Sequence, residues 1–415
     1  MESFNIEPSI RYAENGMRIT VLPKHDFFES VGVISVGLGS IHNMILNKAT
    51  GNEIIIPNGS AHFIEHLIFK RNGPETYFDL FADDDAVLNA YTTMFRTNFV
   101  FSTTTNLKKN LLSLFDLVFS WFADEKSFEL EKRIITNEIL IYKNQKTTQN
   151  RINALDVFFP EFCNGANILG EENDILDIEY THLLKIYQET YRPENISLFV
   201  VGSQVEDEIL SWVNQYFNEK KDENYALHQV QCILSDFKEK QTQQSNEKSN
   251  GFIHIIKFKK NMNESKFLLS ASMELFFEIL FGKTSNFYIN NCEKGFLKNF
   301  NYEVNVSSEF SFVLLSGESH LSKNLVDEIM KTIRDTPKNR NINRCSFEDI
   351  RKNLIGKLMS ESDSVHKLAD ILVNSEGLGI DVSSKIHTLK SISYDDVIQV
   401  GTSFLVEMDT STYVF

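Results

Sequence analysis

The 415-residue chain carries 57 acidic and 41 basic residues, a net charge of −16. Phosphate contacts need clustered Lys and Arg, so this balance excludes a general nucleic-acid binder and suits basic peptides instead. Hydrophobic residues at 42% and charged residues at 24% fit an ordinary globular protein, and the length allows two domains of roughly 100–200 residues each.

The N-terminal stretch MESFNIEPSIRYAENG has no basic-then-apolar signal pattern, and no apolar run is long enough to cross a bilayer. Cys163, Cys232, Cys292 and Cys345 form no CxxC pair. The expectation is a cytoplasmic protein with reduced thiols.

Residues 17–23 and 31–37 read as strands, and an Asn- and Gly-rich loop follows over 41–59. A helix is expected over 61–70, with Ser60 as its N-cap. Residues 96–104 read as a strand, 106–122, 127–143 and 173–190 as helical stretches, 195–202 as a strand and 205–219 as a helix. Residues 236–251 are almost wholly polar and mark a linker, taken as 226–251. Strand and helix patterns then restart at 252–258 and 265–282, with strands at 301–307 and 309–316. Helices follow near 322–334, 346–359, 363–375 and 393–406. The fold class expected is α/β (an α+β sandwich). Its domains would span 1–225 and 252–415, each a mostly antiparallel sheet packed with helices.

The informative segment is His62-Phe63-Ile64-Glu65-His66. Residues four apart share a helix face, so both imidazoles can reach one metal ion with Glu65 beside them. This H-x-x-E-H order is the inverzincin signature. Zinc catalysis needs a third protein ligand and an open position for water. Glu138 is the best candidate, and Glu131, seven residues earlier on the same helix, shares its face. Glu138 would be the ligand, and Glu131 an outer partner orienting a histidine or the water. Taken singly, such histidines are usually surface or core residues, and paired glutamates usually mark a solvated helix face. The combination with its flanks decides otherwise.

The stretch 59–73 (GSAHFIEHLIFKRNG) resembles the active-site helix of the pitrilysin/insulinase family. Val36–Ser40, residues 89–118, the Glu131/Glu138 pair and residues 191–202 (YRPENISLFVVG) are similar to further parts of the family pattern. The resemblance implies half of a clamshell, made of two homologous domains, with one Zn2+ held by His62, His66 and Glu138, and Glu65 as general base. It implies a zinc-dependent endopeptidase that takes peptides as an added edge strand, with Asn89 and Ala90 binding substrate backbone. Asn89 also reads as an ordinary turn former.

Family members often carry an Arg and a Tyr in the C-terminal half that grip the substrate carbonyl. Here Cys292 stands where the Arg is expected, and Tyr302 is a possible contact. The run Asn291–Leu297 is similar to a short bacterial branch that includes peptidase-like proteins of bacteriocin operons and works beside a second family member. The resemblance therefore implies a homodimer, or a heterodimer with a zinc-less partner. The alternative is a catalytically silent member acting as a peptide-binding or structural subunit.

Overall fold

The computed structural model describes residues 8–46, 51–158, 167–220, 229–231, 242–244, 250–258, 266–306, 311–336, 344–377, 382–404 and 408–415. Cys163 and Cys232 lie outside the described residues, and Cys292 and Cys345 are free thiols.

Two mixed, largely antiparallel sheets carry the architecture. The first takes β1 (Ser9–Tyr12), β2 (Arg18–Pro23), β3 (Ser30–Val36), β6 (Ala86–Thr92), β7 (Thr97–Thr103) and β8 (Ile196–Gly202), in the order β1-β2-β8-β3-β7-β6. A small sheet joins β4 (Met44–Leu46), β5 (Glu53–Ile55) and β9 (Gln229–Gln231). The second large sheet takes β10 (Thr242–Gln244), β11 (Gly251–Phe258), β12 (Lys298–Val306), β13 (Ser311–Glu318) and β14 (Met408–Val414), in the order β10-β14-β11-β13-β12.

The two sheets repeat one plan. The run β2-β8-β3-β7-β6 matches β10-β14-β11-β13-β12 strand for strand, and the parallel pair sits at the same place in each, β2 with β8 and β10 with β14. Among the described residues the sheets therefore have equivalent unpaired edges, β6 in the first and β12 in the second. Within the polar run, Thr242–Gln244 is one of these strands.

Helices in the first half include α1 (Ser60–Ile68), α2 (Tyr77–Asp83), α3 (Leu107–Phe119), α4 (Glu125–Lys143) and α5 (Lys146–Phe158), followed by Glu172–Asp177, Tyr180–Thr190 and Glu206–Lys220. All seven residues of β3 are buried, because both faces of the strand are covered. Its period-2 alternation sends Ile34 and Val36 into the main core of the first half, and Val31 and Val33 to the opposite face.

That opposite face is covered by a helix from the other half. Val365, Leu368, Ala369, Leu372 and Val373 of helix Val365–Gly377 pack on Val31, Val33, Phe199 and Val201. Reciprocally, Ala154, Leu155 and Phe158 of α5 pack on Ile253, Ile255, Phe312 and Leu314 of the second sheet. Each half lends one helix to the other's sheet. Burial of such side chains is worth roughly 1.5–3 kcal/mol apiece, so the exchange ties the halves firmly together.

A partly buried ion network reinforces the first of these contacts. Glu376, on the helix from the second half, pairs with Arg96 at 3.3 Å and with Arg18, and also accepts from the Ser197 hydroxyl. Glu376→Ala is expected to destabilise the protein by about 3 kcal/mol, because two partly buried guanidinium groups lose their counter-charge. A denaturant midpoint equal to that of the wild type would show that the network contributes nothing to stability.

Candidate active site

Helix α1 is placed by its apolar side chains. Every residue of it except His66 is buried, and Phe63, Ile64, Leu67 and Ile68 enter the main core. The Phe63 ring stacks on Phe128 of α4 with centroids 4.9 Å apart, which fixes the spacing of the two helices. Helix α4 starts at a capping box formed by Asp124 and Ser127, then turns Phe128, Glu131, Ile135 and Ile139 inward. Ser60 is not the N-cap of α1. Gly59 takes that place with φ 79°, and Ser60 is the first helical residue. A side chain at Gly59 would meet the Leu169 carbonyl oxygen at 2.5 Å, so both the backbone angle and the space demand glycine.

The packing of α1 on α4 brings five of the sequence-identified residues into one cluster. His62 and His66 face each other with their Nε2 atoms 3.2 Å apart. Glu138 Oε2 lies 3.6 Å from His66 Nε2 and 3.9 Å from His62 Nε2. One ligand atom from each of the three lies within 4.8 Å of the other two. On the far side of the His66 ring, Nδ1–H donates to Glu131 Oε2 at 3.0 Å. Seven residues along a helix are about 10 Å, and the imidazole of His66 spans that gap, touching Glu131 with one nitrogen and facing Glu138 with the other. Glu65 points into the same region, its Oε2 accepting a 2.5 Å hydrogen bond from the Thr92 hydroxyl.

The electrostatics follow from burial and these contacts. Burial, aided by the nearby His66, drives His62 down to about 3, so its ring is neutral near pH 7. Burial also acts to lower His66, but the Glu131 hydrogen bond and the charges of Glu131, Glu138 and Glu65 outweigh it and raise the ring. Burial raises the Glu65 carboxyl against the Thr92 hydrogen bond and His66, with Glu138 adding to the rise. Glu131 is lowered: burial pushes it up, but hydrogen bonds from His66 and Lys70 prevail.

The donor set fits a divalent metal of the zinc type. With the His66 Nδ1 proton given to Glu131, His66 Nε2 presents a lone pair toward His62 Nε2. Two imidazole lone pairs at 3.2 Å repel unless a cation or a proton lies between them. Two imidazole nitrogens and one carboxylate oxygen, with an outer carboxylate holding one imidazole, form the three-ligand set of catalytic zinc.

Two contributors were missed in the sequence. Lys70 forms an ion pair with Glu131 Oε1, and its position four residues after His66 was the available signal. Thr92 could have been found from the β6 alternation, which puts a hydroxyl on the strand's core-facing side.

Asn89 and Ala90 lie on β6, the free edge of the first sheet, which packs against α1. The Asn89 side-chain oxygen accepts from the Ala90 N–H at 2.9 Å. Tyr302 is not brought to the cluster within this chain. It sits on β12, where its hydroxyl donates to Glu278 in a cavity of about 980 Å³ lined by second-half residues. Cys292 lies against the second core, its thiol directed at the Leu297 carbonyl oxygen 3.6 Å away.

Comparison with known proteins agrees with this plan. Residues 177–354 match the family model described as Peptidase M16 inactive domain. The uncharacterized zinc protease YmfH of Bacillus subtilis (strain 168) is 27% identical over 395 residues, covering 93% of this chain and 91% of YmfH. AlbF of Bacillus subtilis, also named a zinc protease, is 30% identical over 202 residues, 48% of this chain and 47% of AlbF. The chain is thus similar to a named zinc protease over nearly its whole length and to the Peptidase M16 model over part of its second half. The crystal structure of an M16-like peptidase from Alicyclobacillus acidocaldarius superimposes with a TM-score of 0.86 over 99% of both chains, at 21% identity, a likeness of fold. In this chain the stretch matching the inactive-domain model starts at residue 177, after His62, Glu65, His66, Glu131 and Glu138. Among the described residues, no helix is long and apolar enough to cross a membrane.

Proposed function

We propose that this chain is the zinc-bearing subunit of an endopeptidase that cleaves peptides or leader segments in an enclosed chamber. The observation that carries the proposal is the convergence of His62, His66 and Glu138 within 4.8 Å, with the buried Glu65 beside them. His62, His66 and Glu138 would hold one Zn2+ per chain, and Glu131 would orient His66. The metal, when bound, polarises the scissile carbonyl and makes its bound water more acidic. Glu65 takes the proton of the attacking water and returns it to the leaving amine. The free edge of β6 would pair with the peptide backbone through Asn89 and Ala90, and Asn89 would then release the Ala90 N–H.

The second half supports a division of labour. Cys292 is a free thiol in the place where family members carry a substrate-gripping Arg, and the Tyr302 hydroxyl is engaged by Glu278. The chain holds two domains of one plan, and a closed chamber of this family needs four. The assembly is therefore a dimer, with the missing contacts supplied by a related zinc-less partner.

Purified chain should bind one zinc ion, and cleavage of a fluorogenic peptide should rise when the partner is added, with zinc content unchanged. Chelation should abolish the activity. A zinc-loaded chain that cleaves no peptide with any family-related partner would favour the silent, peptide-binding reading. Full activity from a monomer in light scattering would overturn the dimer.

A further inference from the structure

We propose that Thr92 is a positioning residue for Glu65, fixing which carboxylate oxygen receives the proton. The inference rests on the reading of Glu65 as general base and deepens it. Thr92 is the last residue of β6, the strand that carries Asn89 and Ala90, and its side chain is buried with that of Glu65. Its hydroxyl donates to Glu65 Oε2 at 2.5 Å, which takes one of that oxygen's two acceptor sites and lowers its basicity, so Oε1 is the better acceptor for the proton of water.

Among the described residues the hydroxyl has one other hydrogen-bonding neighbour, Thr97, opposite it on β7 at 3.5 Å. Thr97 gives its own proton to the Leu38 carbonyl at 2.8 Å. The Thr92 proton therefore goes to the shorter, charged acceptor, because hydrogen bonds to ionised groups are the stronger ones.

The donor is also held in place from behind. The hairpin from Thr92 to Thr97 is closed by Thr93, which donates its hydroxyl to the Arg96 carbonyl at 2.9 Å and accepts from the Arg96 N–H at 3.0 Å. The Arg96 side chain is anchored on Ser35 at 2.7 Å and on Glu376 of the second half at 3.3 Å. Glu65 is thus oriented by the end of the strand whose free edge would receive the peptide, and that hairpin is tethered to the other half of the chain.

The test uses the zinc-loaded protein with its partner, as Thr92→Val and Thr92→Ser. Val keeps the shape and removes the donor, whereas Ser keeps the donor. Thr92→Val should keep full zinc content and an unchanged KM while kcat falls roughly 10–100-fold, as expected for loss of a hydrogen bond to a charged group. Thr92→Ser should restore most of kcat. Wild-type kcat in Thr92→Val, or a loss in Thr92→Ser as deep as in Thr92→Val, would overturn the proposal. A loss of zinc would do so too, since Thr92 would then serve the metal site. Crystal structures of the zinc-loaded proteins decide the point independently of activity. Glu65 Oε2 should stay on the hydroxyl in wild type and Thr92→Ser and turn away in Thr92→Val. An unmoved Glu65 in Thr92→Val overturns the inference. A wild type that holds this contact but cleaves nothing defeats only the peptidase reading.

Discussion

Glu65→Gln is expected to keep zinc at the wild-type stoichiometry while hydrolysis falls by roughly 10²–10⁴-fold, the usual contribution of a general acid–base group. The amide has almost the same shape as the carboxylate, and its oxygen can still accept from the Thr92 hydroxyl. Its NH2 then takes the place of the oxygen that would receive a proton, and an amide nitrogen cannot act as a base. The three atoms proposed to hold the metal belong to His62, His66 and Glu138, none of which is altered. Metal content by atomic absorption and peptide cleavage by the same preparation read the two effects separately. Joint loss of zinc and activity would make Glu65 a ligand, and undiminished cleavage would assign the base elsewhere.

Much of this cluster was legible because helix geometry is local. Four-residue spacing puts His62 and His66 on one face whatever surrounds them, and seven-residue spacing does the same for Glu131 and Glu138. What periodicity cannot give is how two helices approach. The stack of Phe63 on Phe128 sets that distance, and no spacing rule pairs these two rings. Non-local contacts account for the other departures. Ser60 has the chemistry of a cap, but the Leu169 carbonyl beside Gly59 forces a left-handed glycine there. The helical stretch expected over 173–190 is two helices, Glu172–Asp177 and Tyr180–Thr190, because Ile178 takes an extended conformation between them. Helix α5 was not expected at all, since its sequence KTTQNRINALDVF opens on a polar run and gathers its apolar residues toward the C-terminal end. An amphipathic stripe also does not say which sheet it will cover. The exchange of α5 and helix Val365–Gly377 between the halves was therefore out of reach.

The second large effect separates the two glutamates of α4. Glu138→Gln should weaken zinc binding severely. Its carboxylate oxygen is one of the three ligand atoms that converge among the described residues, and an amide brings no charge to offset the metal. Glu131→Gln should cost less, about the 10–100-fold in affinity typical of an outer hydrogen-bond partner. Glu131 lies behind the imidazole, holding His66 Nδ1 at 3.0 Å and pairing with Lys70. In Glu131→Gln the side-chain oxygen can still accept the His66 Nδ1 proton, so the ring keeps its orientation and loses only the charge behind it. The same substitution leaves the Lys70 ammonium without its carboxylate, so part of the measured loss will be shared with Lys70→Met. Competition against a chelator of known affinity gives both dissociation constants on one scale. Glu138 should stand well above Glu131, and Glu131 close to Lys70. Equal retention of zinc by Glu138→Gln and Glu131→Gln would move the third ligand off α4 altogether.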